Sequence, residues 1–244
     1  MSAADSPSSV SSVCVYCGSS NAANPDFLAA AARFGAILAQ EDLRLVYGGG
    51  GVGLMGATAK SAHTNGGKVL GIMPDFLRSR EILYDEVETI VVTSMHERKM
   101  IMFEQSDAFV VLPGGIGTLE EVVELLSWRR LDLHRKPIIF FDQNGYWQPF
   151  FHMIAHTMEE RLTPRAFADA YRSVTRVEDI LPAIRAMAIE TADINMMPRP
   201  DRLAEKINAS SARLAWLAWL ASLARLSGSW AALDQCARRQ DASG

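Results

Sequence analysis

DAFVVLPGGIGTLEE, at residues 107–121, is the stretch around which this chain is organised. Its apolar run from Ala108 to Leu112 is short and β-branched, which is typical of a strand buried on both faces of a parallel sheet. Pro113 ends the strand, and three glycines follow within four residues. Apolar residues then recur at helical spacing, so we expect a helix to begin at Thr118. The stretch is therefore predicted to form a strand, a glycine loop and a helix.

The start of this predicted helix is a candidate anion site. The first N–H groups of a helix have no partner within it and carry the positive end of its dipole, about half a charge. Glycines let a ligand approach such amides closely. Phosphate is an anion commonly bound in this way. We therefore expect the chemistry of this protein at residues 113–121.

Strands and helices alternate along most of the chain. This alternation predicts an α/β protein with a Rossmann-like doubly wound parallel sheet, helices on both faces, and a helical C-terminal tail. Ligands of such sheets bind at the carboxyl ends of the strands, where the glycine loops of this chain fall. The predicted strands are Val13–Cys17, Leu43–Tyr47, Lys68–Ile72, Val87–Val92, Ala108–Leu112, Pro137–Phe141 and a short one near Val174.

Changes in composition divide the chain into three predicted parts. Residues 1–12 are predicted to be a flexible leader, residues 13–190 a nucleotide-binding catalytic domain, and residues 191–244 a linker and helical tail of unknown role. The apolar run at 214–224 is far shorter than the roughly 20 residues of a membrane span, so we expect none. The tail either packs on the body or on a second subunit, or lies on a membrane surface.

Composition also excludes several classes of protein. A formal net charge of −4 implies no basic face, which argues against nucleic acid as a partner. The N-terminus lacks the segments of a signal peptide and three cysteines are too few for a disulfide framework, so we expect a cytoplasmic protein. Cys14 and Cys17 form a C-x-x-C pattern inside a predicted strand. They would point to opposite faces, so we interpret both as core residues.

A second glycine loop, GGGGVGLMG at residues 48–56, matches G-x-G-x-x-G in two registers. Asp75 lies near the acidic position that would bind a ribose in a dinucleotide site. No G-K-[ST] follows, so the loop is not a P-loop. It is either a sharp turn that packs a helix on the sheet or part of a nucleotide site.

Residues 94–99, SMHERK, open the helix after the fourth predicted strand. Ser94 and Glu97 fit a capping box, which explains Glu97 structurally. Two cations then stand in the first helical turn, where they oppose the helix dipole, and such cations usually meet an anion. Thr118 and Glu121 also fit a capping box, which is a structural alternative for Glu121.

The sequence MHERK at 95–99, followed by PGGIGTLEE at 113–121, resembles the Lonely Guy family. These proteins are cytokinin riboside 5′-monophosphate phosphoribohydrolases, long mislabelled as lysine decarboxylases. Residues 48–56 also look like the first glycine loop of the family, and the resemblance covers roughly residues 12–188. It implies hydrolysis of the N-glycosidic bond of adenosine monophosphates, with release of free base and ribose 5-phosphate.

The resemblance also implies residue roles. The family's catalytic pair falls on Arg98 and Glu121. No metal and no organic cofactor is expected, the partner is a nucleoside 5′-monophosphate substrate, and the protein is expected to be a homodimer or higher homo-oligomer. The predicted substrate- and phosphate-binding residues are Gly114, Gly115, Gly117, Thr118, Ser19, Gly49, Gly50, Met95, Lys99 and Glu120.

The residue types fit this chemistry. Breaking the bond between C1′ and N9 develops oxocarbenium character on the ribose, and a carboxylate such as Glu121 would stabilise that charge or activate the attacking water. Arg98, a permanent cation, would hold the carboxylate ionised. Two alternatives remain: a non-catalytic nucleotide or molybdenum-cofactor carrier of the same fold, and an NAD(P)-dependent enzyme that uses residues 48–56.

Overall fold

The structure, a computed structural model, describes residues 10–79 and 81–196, excepting the side chains of 193–196. Within these ranges seven strands alternate with six α-helices. The strands are β1 (Ser12–Tyr16), β2 (Arg44–Tyr47), β3 (Val69–Pro74), β4 (Glu88–Val92), β5 (Ala108–Val111), β6 (Ile138–Phe141) and β7 (Arg172–Val174). The helices are α1 (Pro25–Gln40), α2 (Gly53–Thr64), α3 (Met95–Glu104), α4 (Ile116–Arg130), α5 (Gln148–Glu159) and α6 (Ile180–Met196). Short 3₁₀ helices lie at Asp75–Leu77, Gln143–Gly145, Arg165–Ala170 and Val177–Asp179.

All seven strands form one sheet in the order β4-β3-β2-β1-β5-β6-β7, and every neighbouring pair is parallel. The predicted doubly wound fold is confirmed. The strand order reverses between β1 and β5, so the loops that follow these two strands leave the sheet in opposite directions. The crevice between such loops is where ligands of this fold bind.

The strand that organises the sequence lies near the middle of this sheet. Residues Ala108 to Leu112 are fully buried, because helices cover the sheet on both faces. One apolar cluster packs side chains of α1, α2 and α6 on the sheet, and the other packs side chains of α3, α4 and α5. Cys14 belongs to one cluster and Cys17 to the other, which confirms that they are core residues on opposite faces.

Five strands begin one residue from their predicted starts, and one helix differs by more. Helix α4 starts at Ile116, with Gly115 as its N-cap, two residues before the predicted start at Thr118. The apolar spacing identified the helix, but a first turn that contains Gly117 gives no apolar signal.

The predicted ends of the catalytic domain stay predictions. Helix α6 continues past residue 190 to Met196, and both the leader up to residue 9 and the tail from residue 197 lie outside the described residues. No helix within 10–79 and 81–196 is long and apolar enough to cross a membrane.

Substitution of Gly53, at the start of α2, tests whether the second glycine loop serves as a turn that packs the helix on the sheet. Gly53 has φ of +60°, and a Cβ there would lie 2.4 Å from the Ser19 carbonyl carbon. Gly66 has φ of +80°, but a Cβ there meets nothing within 4 Å. Gly66→Ala should therefore cost only about 1–2 kcal/mol for the left-handed conformation. Gly53→Ala should cost about 1–3 kcal/mol more, because the backbone must also move.

Urea unfolding of the two single variants and the wild type measures this difference. Equal losses of unfolding free energy in the two variants would show that the approach of Ser19 to Gly53 does not constrain the fold.

Candidate active site

The loops that follow β1 and β5 touch where the strand order reverses. The Gly18 N–H donates to the Pro113 carbonyl over 3.0 Å, and a Cβ on Gly18 would lie 3.4 Å from the Gly114 Cα. Parallel strands bring their carboxyl ends to the same edge of the sheet, so the loops after β1 and β5 both lie at that edge. The predicted binding residue Ser19 is exposed on the first of these loops.

The loop after β5 presents an open row of backbone amides. Among the hydrogen bonds of the described ranges, none uses the N–H groups of Ile116, Gly117 or Thr118, the first three residues of α4. A Cβ on Gly115 or Gly117 would meet nothing within 4 Å, so a ligand can approach this side of the loop. Gly114 differs, because a Cβ there would lie 2.2 Å from the Thr118 Oγ1.

At the start of α2, other parts of the protein already accept the hydrogen bonds of the backbone amides. The Gly53 N–H donates to the Asn21 Oδ1 over 2.8 Å, and the next two amides donate to the Gly18 carbonyl. These groups would hold the pyrophosphate in a dinucleotide site, so this helix start has no open amides to offer one. Asp75, the candidate ribose-binding acid, is exposed and pairs with Arg78 at 3.5 Å.

Residues 81–84 cover the second glycine loop. The Tyr84 N–H donates to the Gly49 carbonyl, and the Gly51 N–H donates to the Ile82 carbonyl over 2.7 Å. Gly49 and Gly50, predicted to bind substrate, are consequently buried beneath this segment. The open amides of the site therefore come from the loop after β5.

Arg98 lies at the base of the site with its side chain almost completely buried. Its Nη2 donates to the Gly48 carbonyl at 3.1 Å and pairs with the Glu81 carboxylate at 3.4 Å. Glycine at position 48 makes room for this contact, since a Cβ would lie 1.9 Å from that nitrogen. A buried guanidinium needs a counter-charge, and Glu81, which the sequence reasoning missed, supplies it. The only hint of Glu81 in the sequence was indirect: a buried cation at the carboxyl edge of the sheet requires an acidic residue from another loop.

Ser94 caps α3 as predicted, since its Oγ accepts the Glu97 N–H over 3.1 Å. The Glu97 carboxylate accepts the N–H and hydroxyl of Thr93 instead of the Ser94 amide. The Ser94 half of the predicted capping box is therefore present, while Glu97 bonds one residue earlier, to Thr93. The capping-box explanation is wrong for Glu121, because α4 begins at Ile116 and its N-cap is a glycine without a side-chain acceptor.

Glu121 has a strongly shifted pKa. Burial raises it from 4.5 to about 7, and Arg98 opposes the shift. Glu120 and Glu81 raise it further by repulsion, whereas Lys99 lowers it. A carboxyl group that titrates near neutral pH at a sheet edge is a typical feature of catalytic sites.

Lys99 is held between two carboxylates of α4. Its Nζ contacts the Glu120 Oε1 at 2.5 Å and the Glu124 Oε2 at 2.9 Å, and its side chain is buried. Burial alone would lower the pKa of Lys99, but the two carboxylates more than offset this and raise it. Glu120, which was predicted to bind substrate, is half exposed and turned to this lysine. Lys99 therefore joins α3 to α4.

The predicted catalytic pair is brought to one place but is not directly bonded. Arg98 acts on Glu121 through its charge, while its hydrogen bonds go to Gly48 and Glu81. Met95 lies beside the pair, with its sulfur 3.8 Å from the Arg98 Nη1. No group of three or more His, Cys, Asp or Glu that could hold a metal ion is found in the part of the chain that the structure describes.

Fold and site together define a Rossmann-like α/β protein with an open helix N-terminus beside two buried cations and their partly exposed carboxylate partners. A family model described as possible lysine decarboxylase matches residues 55–184. The chain belongs to this family, the Lonely Guy family, whose curated relatives are named cytokinin riboside 5′-monophosphate phosphoribohydrolases.

Two relatives and one solved structure illustrate this similarity. A cytokinin riboside 5′-monophosphate phosphoribohydrolase of Arabidopsis thaliana is 42% identical over 149 residues, which are 61% of this chain and 69% of the relative. A probable enzyme of the same name from Oryza sativa subsp. japonica is 37% identical over 202 residues, or 82% and 72%. The Moco carrier protein from Chlamydomonas reinhardtii has a TM-score of 0.57 at 20% identity, covering 73% of this chain and 98% of that one, and shows the shared fold.

The cluster predicts how the Glu121 pKa depends on Glu81. Glu81→Gln removes a repelling charge and leaves Arg98 without its ion-pair partner, and both effects favour the ionised form of Glu121. The pKa of Glu121 should therefore fall below about 7. Titration of ¹³C-labelled glutamate carboxyl groups by NMR measures it, with Glu121→Gln to assign the signal.

Glu88→Gln is the matched control, because Glu88 is an exposed carboxylate on β4. This variant should leave the pKa of Glu121 unchanged. A Glu121 pKa that stays the same or rises in Glu81→Gln would contradict the electrostatic coupling described here.

Proposed function

We propose that this protein is a phosphoribohydrolase that cleaves the N-glycosidic bond of cytokinin riboside 5′-monophosphates and of AMP. The observation that carries the proposal is the position of Glu121, a carboxyl group with a pKa near 7 on the helix whose N-terminal amides are open. The names of the curated relatives support the same reaction. The products are the free base and ribose 5-phosphate.

The open amides of α4 suit the 5′-phosphate of such a substrate. Three unpartnered N–H groups and the positive end of the helix dipole favour an anion there. Glu121 follows Thr118 by three residues, so its Cα lies about 4.5 Å further along the helix axis. A ribose that extends from an anchored phosphate would run past this carboxylate. Binding the phosphate, remote from the bond that breaks, would position C1′ for attack.

Hydrolysis adds water across the bond between C1′ and N9. The bonding electrons leave with N9, the water oxygen bonds to C1′, and the base takes up a proton. In its ionised form the Glu121 carboxylate stabilises the oxocarbenium character at C1′ or accepts a proton from the attacking water. A group with a pKa near the working pH suits either role, because its ionised form is well populated and it can still carry a proton.

Arg98 contributes through its charge. Its positive charge opposes the rise in the Glu121 pKa that burial causes. Its bonds to Gly48 and Glu81 fix it below the site. We infer that Arg98 keeps a fraction of Glu121 ionised and adds a positive charge near the reacting centre.

Two further expectations belong to the proposal. We propose a homodimer or higher homo-oligomer, supported by exposed apolar side chains on α4 such as Ile116 and Val123, and a cytoplasmic location. The carrier alternative predicts nucleotide binding without turnover. The NAD(P)-dependent alternative is disfavoured, because the amides at the start of α2 are already hydrogen-bonded.

Glu121→Gln should abolish most of the turnover of AMP. Removing a general base or charge stabiliser lowers kcat on the order of a hundredfold or more, whereas the α4 amides that hold the phosphate are unchanged. Base release measures kcat, and calorimetric titration measures AMP affinity. Glu159→Gln, an exposed carboxylate at the end of α5, is the control. Full activity in Glu121→Gln with an unaltered melting curve would remove Glu121 from the mechanism.

The 5′-phosphate should be required. We expect kcat/KM for AMP to exceed that for adenosine on the order of a hundredfold, because charge-assisted hydrogen bonds to a phosphate are about twice as strong as neutral ones. The assay compares base release from AMP, N6-isopentenyl-AMP and adenosine, with ribose 5-phosphate identified as the second product. Similar rates for AMP and adenosine would refute the assignment of the phosphate to α4.

A further inference from the structure

The Tyr146 hydroxyl is bonded to the candidate phosphate loop. It donates to the Gly114 carbonyl over 2.6 Å, within the usual range for O–H···O bonds. Tyr146 lies in the connection between β6 and α5, which leaves the same edge of the sheet as the loop after β5. Neither the motifs nor the family resemblance drew attention to this residue.

The backbone on either side of Tyr146 is fixed. Asp142, which is buried at the end of β6, accepts the Trp147 N–H over 2.7 Å and the Gln148 side-chain amide over 2.6 Å. Asn144 and Gly145 have positive φ angles of 56° and 72°, so the chain turns sharply before Tyr146. The tight turn and the buried carboxylate together set the direction in which Tyr146 leaves the chain.

The ring of Tyr146 is also held from two sides. It meets the Phe27 ring of α1 edge-on at a centroid distance of 5.4 Å and the Trp147 ring at 5.1 Å. Such edge-to-face contacts favour one orientation of the ring. The hydroxyl is therefore presented to the Gly114 carbonyl by three elements, α1, β6 and α5.

The peptide that this hydroxyl holds joins two glycines. Glycines occupy both signs of φ readily, so the peptide between Gly114 and Gly115 has little intrinsic preference for one orientation. In a trans peptide the carbonyl and the following N–H point in opposite directions. Fixing the Gly114 carbonyl on Tyr146 therefore turns the Gly115 N–H away from Tyr146. The space beside the Gly115 Cα is also open, since a Cβ there would meet nothing within 4 Å.

We propose that Tyr146 is a positioning residue for the phosphate loop, which it holds ready for the substrate's 5′-phosphate through its bond to the Gly114 carbonyl. This inference rests on the proposed function and adds a residue to it. Tyr146 touches neither the reacting atoms nor the phosphate in this account. Tyr146 instead orders the loop before the anion binds. Without it, part of the binding free energy would be spent on ordering the loop, and the affinity for the anion would be lower.

Tyr146→Phe tests the proposal, because it keeps the ring between Phe27 and Trp147 and removes only the hydroxyl. Losing one hydrogen bond that orders the free site should raise KM for AMP about threefold to tenfold. The Ki of ribose 5-phosphate as a competitive inhibitor should rise by the same factor. Both kcat and the Ki of adenosine, which has no phosphate, should change less than twofold, because the change affects binding of the phosphate alone.

Tyr171→Phe is the matched control. Tyr171 is a half-buried tyrosine whose ring packs on Phe140 and Phe151, away from the phosphate loop, and its variant should retain the wild-type KM and Ki values. Melting curves of both variants show whether either loses stability.

Unchanged KM and Ki values in Tyr146→Phe, with a wild type that hydrolyses AMP and binds ribose 5-phosphate, would overturn the role of Tyr146 alone. Equal weakening of ribose 5-phosphate and adenosine would also overturn it, since it would show a general structural effect. A wild type that neither hydrolyses AMP nor binds ribose 5-phosphate would overturn the proposed function, and the role of Tyr146 with it.

Discussion

The arrangement of this site depends on a buried positive charge. Arg98 is almost inaccessible to water, and an isolated charge in that position would cost far more free energy than a domain of this size has to spare. The surrounding chain supplies two partners for the guanidinium, a carbonyl at Gly48 and a carboxylate at Glu81, and a position beside them without a Cβ. Residues 81–84 lie across the second glycine loop, on which this carbonyl stands.

The two glycine loops look alike in the sequence, but they have different roles in the structure. At the start of α2 the glycines allow close packing, and the amides are bonded to Asn21 and Gly18. At the start of α4 two glycines face open space, and the amides have no acceptor among the described residues. The proposed anion site differs from the packing turn in one respect: at the packing turn another part of the chain supplies acceptors for the amides. That depends on residues distant in the sequence.

This difference explains which features could be predicted. The buried run before Pro113 and the alternation of strands and helices depend on local periodicity, so the sheet, its parallel strands and the positions of the two cysteines were foreseen correctly. The cation Arg98 was noticed because it stands in a first helical turn, which is a local signal. The catalytic roles of Arg98 and Glu121 came from the family resemblance and stay predictions. The partner of Arg98 was missed, because Glu81 lies in an irregular segment 17 residues earlier. Lys99 was expected to face a substrate, yet carboxylates from α4 hold it, and no local pattern encodes that contact.

The cluster beneath α4 contains more acid than base. Arg98 and Lys99 face Glu81, Glu120 and Glu124, with Glu121 as a fourth carboxylate that is partly ionised near neutral pH. A nucleotide carries negative charge of its own, so this group of side chains exerts no long-range attraction on it. If the proposed function is right, capture depends on short-range alignment of the phosphate with the helix amides, whose dipolar field fades within the first turn. A site of that kind would recognise its ligand by shape at contact and would not gather it from solution by charge.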